Sequence, residues 1–353
     1  MRVVSLPLTA VDLFAGAGGT TQGLRDAGFR VLAAIEKDEE AAKTYRANHD
    51  EVDLYNRDIQ RVQAPALAKR LGGERIGLLT ACPPCQGFST LGLGDTADKR
   101  NDLVMTISRF AEHLRPWAIV LENVPGLASD HRLLAVLARL NDDYTVRQYL
   151  IDAADFGVPQ HRKRVIVLAV DRAFDAELPA NLSELLPDGF DTTKRTAWSA
   201  LAAAAEVTEE QDAVHRARRS SDIVRRRIQA APIGGGRADL PPELRLACHE
   251  RLEGTNATSI YGRMDPEQPS PTMTTRCTTP SCGRFIHPYE NRGITLREAA
   301  LLQSFPITYS FKGSHQSIER QIGNAVPVRL SYALAEIVKA LAAQHADALE
   351  LAA

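Results

Sequence analysis

A cysteine stands shortly after an apolar run in the first quarter of the sequence. The run Ile76 to Ala81 has the length and composition of a buried strand, and Cys85 follows it across Cys82-Pro83-Pro84. Open α/β sheets hold their ligands just beyond the carboxyl ends of the strands, where a thiol is a candidate nucleophile. The two prolines restrict the backbone and remove two amide donors. We therefore expect a rigid loop that presents Cys85.

Other predicted strands are also followed by groups capable of chemistry. In chain order these groups are a glycine-rich turn, Glu36, Asp58, Cys85 and Glu122. The packing of a core does not require a carboxylate or a thiol after successive strands, whereas parallel strands bring such groups to one edge of a sheet. The sequence therefore predicts a functional crevice at that edge.

The glycine-rich turn is Phe14-Ala15-Gly16-Ala17-Gly18-Gly19. Such a turn lets backbone amides approach a ligand at a helix N-terminus, and Glu36 is spaced to bond ribose hydroxyls. Together with Asp58 at the next strand end, this pattern favours an adenosine-containing cofactor over a merely tight turn. Thr21 occupies the third glycine position of the dinucleotide fingerprint and Gly23 comes two residues late, which argues against NAD.

The elements that must position these residues alternate along the first half of the chain. Short β-branched or aliphatic runs predict strands at Val11–Phe14, Val31–Ile35, Val52–Tyr55, Ile76–Ala81, Ala118–Leu121, Val146–Ile151 and Val165–Val170. Helical patterns between them predict helices at Thr20–Ala27, Glu39–Asn48, Leu103–Leu114 and Leu133–Leu140. This alternation predicts an α/β fold with a doubly wound, mostly parallel sheet.

The composition is that of an ordinary globular protein. The chain has 353 residues, of which 44% are hydrophobic and 24% charged, which is enough for a sizeable core and two domains. No apolar run approaches the length of a membrane span, so we expect a cytoplasmic protein without membrane contact. Five cysteines, an odd number, fit reduced thiols better than a disulfide framework. With a formal net charge of −2, any surface for nucleic acid must be local.

Five motifs in family order resemble those of the bacterial DNA (cytosine-5) methyltransferases. They are Asp12-Leu13-Phe14-Ala15-Gly16-Ala17-Gly18-Gly19, Pro84-Cys85-Gln86, Glu122-Asn123-Val124, Gln160-His161-Arg162-Lys163-Arg164 and Gln321-Ile322-Gly323-Asn324-Ala325-Val326-Pro327. In addition, Arg297-Glu298-Ala299-Ala300 runs into Phe305-Pro306. The resemblance spans nearly the whole chain. It implies a Rossmann-like S-adenosylmethionine-dependent domain with a second, smaller DNA-recognition domain.

Methylation of cytosine needs the residue types found here. Carbon 5 is a weak nucleophile, and addition of a thiolate to carbon 6 builds electron density on it. Cys85 would supply the thiolate, and Glu122 would donate a proton to ring nitrogen 3. The resemblance further implies that Arg164 contacts and polarises the base, and that Arg162 supports the site or the phosphate backbone.

The resemblance implies S-adenosylmethionine as cofactor and S-adenosylhomocysteine as its product. Glu36 would bind the ribose, Asp58 with Ile59 would face the adenine, and Asn324 and Val326 would return to the pocket from far along the chain. The helix after Pro327 would then pack on the first domain. The residues assigned to the pocket are Phe14, Ala15, Gly16, Gly18, Gly19, Glu36, Lys37, Asp58, Ile59, Pro84, Leu103, Asn324 and Val326.

A cytosine stacked in a duplex must be flipped out to reach such a site. The segment Gly87 to Asn101, with small and charged residues, is suited to a mobile loop that covers the extruded base, although it also fits a solvated surface loop. By resemblance, Gln86, Ser89 and Arg100 would contact the DNA on or beside this loop.

Residues 180 to 290 lose the alternation of strands and helices and gain proline, glycine and arginine. We expect this region to read the DNA. Arg225, Arg226 and Arg227 suit phosphate contact, although such a run also fits a solvated helix face. Arg237 follows three glycines, which we expect to be flexible enough to enter a groove, and suits bidentate contact with guanine. The predicted domains are therefore 1–178 (catalytic and cofactor-binding), 179–315 (target recognition) and 316–353, a segment that returns to the first.

The expected partner is double-stranded DNA, met by a monomer in the bacterial cytoplasm and nucleoid, with a separately encoded restriction endonuclease as a possible companion. An RNA (cytosine-5) methyltransferase of the transfer-RNA type and an inactive DNA-binding relative are the alternatives. The intact Pro84-Cys85-Gln86 and Glu122-Asn123-Val124 motifs argue against the inactive relative. Cys82, Cys248 and His249 fit structural roles. Cys277 and Cys282, near His287, leave a zinc site as a minor alternative, but we expect no metal.

Overall fold

The computed structural model of the protein describes residues 6–84, 99–247 and 258–351. The chain forms two compact units. The first comprises Met1–Asp152, Lys163–Thr192 and Val328–Ala353, and the second comprises Ala153–Arg162 and Thr193–Pro327. Within the described ranges, no helix has the length and apolar character needed to cross a membrane.

The first unit is built on a sheet of seven strands in the order β3-β2-β1-β4-β5-β7-β6. Its inner strands are completely buried, because helices cover both faces of a doubly wound sheet. The predicted mixed α/β fold with a mostly parallel sheet is confirmed. The strands are β1 (Thr9–Leu13), β2 (Arg30–Glu36), β3 (Asp53–Asn56), β4 (Leu78–Ala81), β5 (Ala118–Asn123), β6 (Tyr144–Asp152) and β7 (Lys163–Asp171).

The strand order reverses between β1 and β4. The chain winds outward from β1 through β2 to β3, and then returns to place β4 on the other side of β1. Doubly wound sheets hold ligands at such a reversal, beyond the carboxyl ends of the strands. The glycine-rich turn leaves β1 at this point, and Cys82-Pro83-Pro84 leaves β4 there.

Strand β7 runs antiparallel to both of its neighbours, β5 and β6. Residues 153–162, which join β6 to β7, contain only one short 3-10 turn, Ala153–Phe156. A connection of this kind returns the chain directly, whereas a parallel neighbour requires a crossover of a dozen or more residues. The return brings Arg164, near the start of β7, to the edge of the sheet where β5 ends at Asn123.

Helices pack around this sheet. They are α1 (Gly19–Asp26), α2 (Glu39–Asn48), α3 (Ala64–Arg70), α4 (Thr106–Leu114), α5 (His131–Leu140) and α10 (Val328–Leu351). The predicted helix from Leu103 begins three residues later as an α-helix, since Lys99–Met105 forms a 3-10 segment. Helix α3 was not predicted. Its first turn contains Pro65, which is tolerated there because those amides have no acceptor within the helix.

Helices α1 and α10 pack closely through Gly23. A Cβ at Gly23 would lie 2.6 Å from Ser331 Cβ and would also clash with the carbonyl oxygen of Val328. The Nζ of Lys339 donates to the carbonyl oxygen of Ala27 at 3.1 Å. Gly23, which comes two residues after the third glycine position of the dinucleotide fingerprint, therefore serves the packing of α1 against α10.

In its described part, the second unit contains helices and no regular sheet. They are α6 (Ala197–Leu201), α7 (Asp222–Ala230), α8 (Leu296–Leu302) and α9 (His315–Asn324). Strand pairing in its described part consists of isolated bridges, two of which involve Arg263. The buried Arg263 guanidinium, rather than a ladder of backbone hydrogen bonds, connects these segments. It donates to the carbonyl oxygens of Ile228, Ala231, His287 and Glu290, and to Asn291 Oδ1.

Candidate active site

The turn after β1 keeps its main chain accessible to a ligand. Phe14, Gly16 and Gly18 have φ angles of 62°, 55° and 95°, in the left-handed region. A non-glycine residue such as Phe14 is rare there and is often part of a functional site. A Cβ added to Gly16 would meet no atom within 4 Å, so open space adjoins the backbone at this point. Helix α1 then begins at Gly19 without a side-chain cap or an acidic residue in its first turn.

Glu36, at the end of β2, is held by backbone amides. Its Oε2 accepts from the Gly16 amide at 2.9 Å, and its Oε1 accepts from the Asp38 amide at 2.6 Å. Burial raises the pKa of Glu36 above its ordinary value, while these two amides act in the opposite direction. A carboxylate oxygen has two lone pairs, so both oxygens can still accept from hydroxyl groups of a ligand.

A buried hydrogen-bond network supports the glycine turn from below. Thr21 Oγ1 donates to Asp12 Oδ2 at 2.8 Å, and Thr80 Oγ1 donates to Asp12 Oδ1 at 3.0 Å. Thr21 Oγ1 also lies 2.8 Å from the Tyr45 hydroxyl oxygen. Burial raises the pKa of Asp12 to about 7, although the two threonine hydroxyls lower it. Thr21 stands where the dinucleotide fingerprint has its third glycine, and its hydroxyl takes part in this hydrogen-bond network.

Glu122, Cys82 and Arg164 form a hydrogen-bonded group that we call the Glu122 cluster, in which Glu122 and Arg164 are buried and Cys82 is partly buried. Arg164 Nε donates to Glu122 Oε1 at 2.6 Å, and the Cys82 thiol donates to Glu122 Oε2 at 2.9 Å. The Arg164 guanidinium is held further by a bond from Nη1 to the Lys163 carbonyl oxygen at 2.7 Å. Glu122 is only 5% exposed. Both carboxylate oxygens are therefore fixed in direction, at the end of β5.

A second contact connects the end of β5 to the segment that leads into Cys85. Asn123 Nδ2 donates to the Pro83 carbonyl oxygen at 2.8 Å, and Asn123 Oδ1 accepts from the Val124 amide at 2.8 Å. Proline cannot donate a backbone hydrogen bond, so its carbonyl oxygen is the main-chain group available for this contact. Cys85, Gln86 and Ser89 themselves lie outside the described residues.

The remaining residues predicted for the first unit lie at strand ends or nearby. Asp58 caps a 3-10 turn by accepting from the Gln60 amide at 2.9 Å, and Ile59 beside it is buried. Lys37 is exposed, Pro84 is partly buried and Leu103 is buried. Arg100 is exposed. Their roles toward cofactor or DNA stay predictions.

The predicted residues of the second unit fall into supporting positions. Arg162 is buried and donates to the carbonyl oxygens of Met273, Gly323 and Ala325 at 3.1, 3.3 and 3.1 Å. Asn324 is the exposed last residue of α9, and Val326 is buried. The proposed return of Asn324 and Val326 to the cofactor stays a prediction.

The arginines predicted to contact DNA differ in their surroundings. Arg225 and Arg226 on α7 are exposed, and Arg225 pairs with Asp222. Arg227 is buried, donates from Nε to the Leu244 carbonyl oxygen at 2.8 Å and stacks over Tyr261. Its guanidinium is therefore engaged within the second unit.

The three glycines before Arg237 differ in their surroundings, because a Cβ at Gly234 would meet no atom within 4 Å whereas Gly235 and Gly236 are closely packed. The Gly234 amide donates to the Arg263 carbonyl oxygen at 3.0 Å, and a Cβ at Gly236 would clash with the Thr258 carbonyl oxygen. Close packing, not flexibility, explains glycine at Gly236. Arg237 itself is half-buried, and its predicted contact with guanine stays a prediction.

The other cysteines in the described part of the chain differ in their surroundings. Cys277 is fully buried, and burial raises the pKa of its thiol. Cys82 is bonded to Glu122, a contact that the sequence did not indicate. No three side chains of histidine, cysteine, aspartate or glutamate converge to bind a metal within the ranges that the structure covers. Cys248 and His249 lie outside those ranges.

Fold and site together define a Rossmann-like α/β enzyme with a glycine-rich turn after β1 and a buried carboxylate at the end of β5. The model of the C-5 cytosine-specific DNA methylase family matches residues 8–340. The chain therefore belongs to the C-5 cytosine-specific DNA methylase family, which confirms the family and the enzyme class predicted from the sequence.

Curated relatives extend over almost the same length. The chain is 34% identical over 339 residues to the Type II methylase M.HgiDII of Herpetosiphon aurantiacus, covering 93% of this chain and 94% of that protein. It is 30% identical over 347 residues to the Type II methyltransferase M1.HphI of Haemophilus parahaemolyticus, covering 95% and 88%.

Solved structures share the fold. An Escherichia coli prophage protein described as a DNA modification methyltransferase aligns with a TM-score of 0.73 at 24% identity, covering 94% of this chain and 98% of that chain. A DNMT2 variant from Spodoptera frugiperda aligns with a TM-score of 0.64 at 18% identity, covering 94% and 99%.

Proposed function

We propose that the protein transfers the methyl group of S-adenosylmethionine to carbon 5 of a cytosine flipped out of a specific double-stranded DNA sequence. The proposal includes a covalent bond between Cys85 Sγ and carbon 6 of the base. The observation that carries it is the Glu122 cluster, because Cys82 and Asn123 both join the end of β5 to the loop that runs into Cys85. A buried carboxylate beside a cysteine loop is the pairing that addition to a cytosine ring requires.

The residues around the glycine turn fit S-adenosylmethionine. Open space adjoins Gly16, the first-turn amides of α1 have no side-chain cap, and Glu36 can accept from two ribose hydroxyls. Asp58 and Ile59 would border the adenine, and Phe14 would line the pocket. The bound cofactor supplies a methyl group on a positively charged sulfur.

The chain's own residues would then act on the base. As the Cys85 thiolate adds to carbon 6, negative charge moves into the ring, and a proton carried by Glu122 passes to nitrogen 3. Arg164 holds Glu122 Oε1 and lies close enough to the carboxylate to contact the base as well. After methyl transfer, a water molecule or another base takes the carbon 5 proton and Cys85 leaves carbon 6 as the thiolate. Nitrogen 3 returns its proton to Glu122, which restores the aromatic ring and the free enzyme.

The first experiment tests the substrate. The protein is incubated with S-adenosylmethionine labelled in the methyl group and either mixed-sequence duplex DNA or total transfer RNA. We expect label in DNA as 5-methylcytosine. Label in RNA alone would support the RNA methyltransferase alternative, and label in neither pool would support an inactive relative.

The second experiment tests the nucleophile. In Cys85→Ala, we expect loss of methyl transfer while binding of S-adenosylmethionine, followed by calorimetry, persists. The Cys277→Ala variant is a suitable control because Cys277 is buried in the second unit. Retained activity in Cys85→Ala would overturn the covalent scheme.

The names of the curated relatives are those of Type II systems. We therefore propose that a separately encoded restriction endonuclease recognises the same sequence. Methylation-sensitive sequencing of DNA from an expressing host would identify that sequence, and digestion of the same DNA with an endonuclease encoded nearby should be blocked. A location in the cytoplasm and nucleoid and a monomeric state complete the proposal.

A further inference from the structure

An arginine-lined cavity lies within the second unit, and we propose that it binds phosphodiester groups of the DNA backbone. The cavity has a volume of about 970 Å³, and its lining includes Arg216, Arg218, Arg219, Arg276, His315 and Gln316. This inference rests on the proposed function, and it assigns phosphate contact to arginines other than Arg225, Arg226, Arg227 and Arg237, for which the sequence predicted DNA contact.

The arginines of this cavity carry mostly uncompensated charge. Arg216 pairs with Glu209 at 3.2 Å. Arg218, Arg219 and Arg276 are exposed and make no ion pair with any carboxylate in the described residues. Like charges gathered without partners repel one another, and an anion relieves that repulsion. Guanidinium groups match the geometry of phosphate oxygens.

The most buried acidic residue of the lining, Glu319, is engaged by Thr278. Glu319 is only 3% exposed, and its Oε1 accepts from the Thr278 amide at 2.8 Å and from Thr278 Oγ1 at 2.6 Å. His315 Nε2 lies 3.0 Å from the same Thr278 oxygen. Glu319 therefore stabilises the wall of the cavity through Thr278, and it makes no ion pair with the arginines among the described residues.

The N-terminus of α9 adds to the positive electrostatic potential of the same cavity. His315 and Gln316 form its first turn, and their amides have no acceptor within the helix. Ser314 caps the amide of Ser317. The partial positive charge of this helix end faces the same cavity as the arginines, and both favour an anion.

The contrast with α7 explains why this cluster is preferred to the run that the sequence suggested. Arg227 is buried against Leu244 and Tyr261, and Arg225 is paired with Asp222. Thus Arg226 alone of that run combines exposure with the absence of an ion pair among the described residues. The cavity brings three such arginines together from two segments of the chain.

The test compares two triple variants of the full chain. One carries Arg218→Gln, Arg219→Gln and Arg276→Gln. The matched control carries Arg30→Gln, Arg70→Gln and Arg139→Gln, which removes the same charge from exposed positions of the first unit. Duplex binding is measured as a function of salt on several sequences, and thermal unfolding and cofactor binding verify that each variant is folded.

We expect the cavity variant to lose affinity for every duplex about equally, because phosphate contacts position without specifying. The slope of log affinity against log salt should fall by about 2 to 3, and affinity at 0.1 M salt by about 100-fold. The methylation rate at saturating DNA should remain that of the unaltered protein, and the control variant should match that protein in slope.

Three results would overturn the site. They are an unchanged salt slope in the cavity variant, an equal loss in the control variant, or loss of inorganic phosphate binding without any effect on duplex DNA. Each of these can occur while the unaltered protein methylates DNA. If the unaltered protein neither binds nor methylates DNA, the proposed function fails as well, and the label experiment reveals this separately.

Discussion

Glu36 and Glu122 both stand at the carboxyl end of a strand that is parallel to β1, yet different groups hold them. Glu36 accepts from two backbone amides, those of Gly16 and Asp38. Glu122 accepts from a guanidinium and a thiol, on Arg164 and Cys82. Backbone amides are fixed donors that cannot change their protonation, whereas both partners of Glu122 are side chains, and the thiol can lose its proton.

This difference suggests a division of work along one sheet edge. A carboxylate fixed by main chain offers a constant set of acceptor positions, which suits the hydroxyls of a cofactor. A carboxylate fixed by side chains can exchange protons with a reacting base while its partners adjust. We therefore expect changes at Glu36 to affect cofactor affinity and changes at Glu122 to affect the rate of methyl transfer.

The largest expected effect is that of Glu122→Gln. The amide keeps the size of the carboxyl group but cannot transfer a proton, so the single-turnover rate should fall by about 10²- to 10⁴-fold. Binding of S-adenosylmethionine, measured by calorimetry, should be unchanged. Glu112→Gln, at an exposed position of the same unit, is the control. A rate within a few-fold of the unaltered protein would remove Glu122 from the chemistry.

An intermediate effect is expected for Glu36→Gln. Its amide group would place a donor against a backbone amide that also donates, and one acceptor position for the ribose would be lost. Affinity for S-adenosylmethionine should fall about 10-fold, which corresponds to one hydrogen bond to a charged group. The rate of methyl transfer at saturating cofactor should be unchanged. In the control variant Glu39→Gln, at an exposed position at the start of α2, both the affinity and the rate should be unchanged. A lower rate of methyl transfer with unchanged cofactor affinity would contradict the assignment of Glu36 to cofactor binding.

The smallest effect is expected at Cys82. In Cys82→Ala the donor to Glu122 Oε2 is lost, and the rate should fall by about 3- to 10-fold. In Cys82→Ser the hydroxyl can still donate, so the rate should return to within about twofold of the unaltered value. Equal rates in the two variants would mean that the thiol only fills space.

The strands and the strand-end residues could be predicted because they depend on local pattern. Runs such as Ala118–Leu121 are β-branched and aliphatic, and the confirmed β5 extends them by only two residues, Glu122 and Asn123. Helix α2 begins and ends where its pattern predicted, with Asp38 capping its first turn. The sequence also places the glycine turn and Glu36 at the ends of successive strands.

The partners of those residues could not be predicted, because they depend on which strands are neighbours. Ala81 pairs with Leu121 across β4 and β5, and this register places the next residues, Cys82 and Glu122, side by side. Leu13 pairs with Ile35, which brings the turn after β1 to Glu36. These registers cannot be predicted from the individual strand segments, because strand order follows from the topology of the whole sheet.

The arginine run on α7 shows the same limit in the second unit. The sequence does not distinguish its three arginines, but the helix directs Arg227 into a small core that contains Ile228 and Tyr261. Period alone does not reveal which face of such a short polar helix is buried, because a single apolar side chain can decide it.

The close packing of α1 on α10 has a consequence for the order in which the protein folds. Gly23 meets Val328 and Ser331, which follow it by about 300 residues, after the whole of the second unit. A chain that emerges from the ribosome in order therefore exposes the outer face of α1 until α10 has been synthesised. Completion of the first unit is thus a late, long-range closure, and its rate should be limited by the topology of the chain more than by the strength of any local contact.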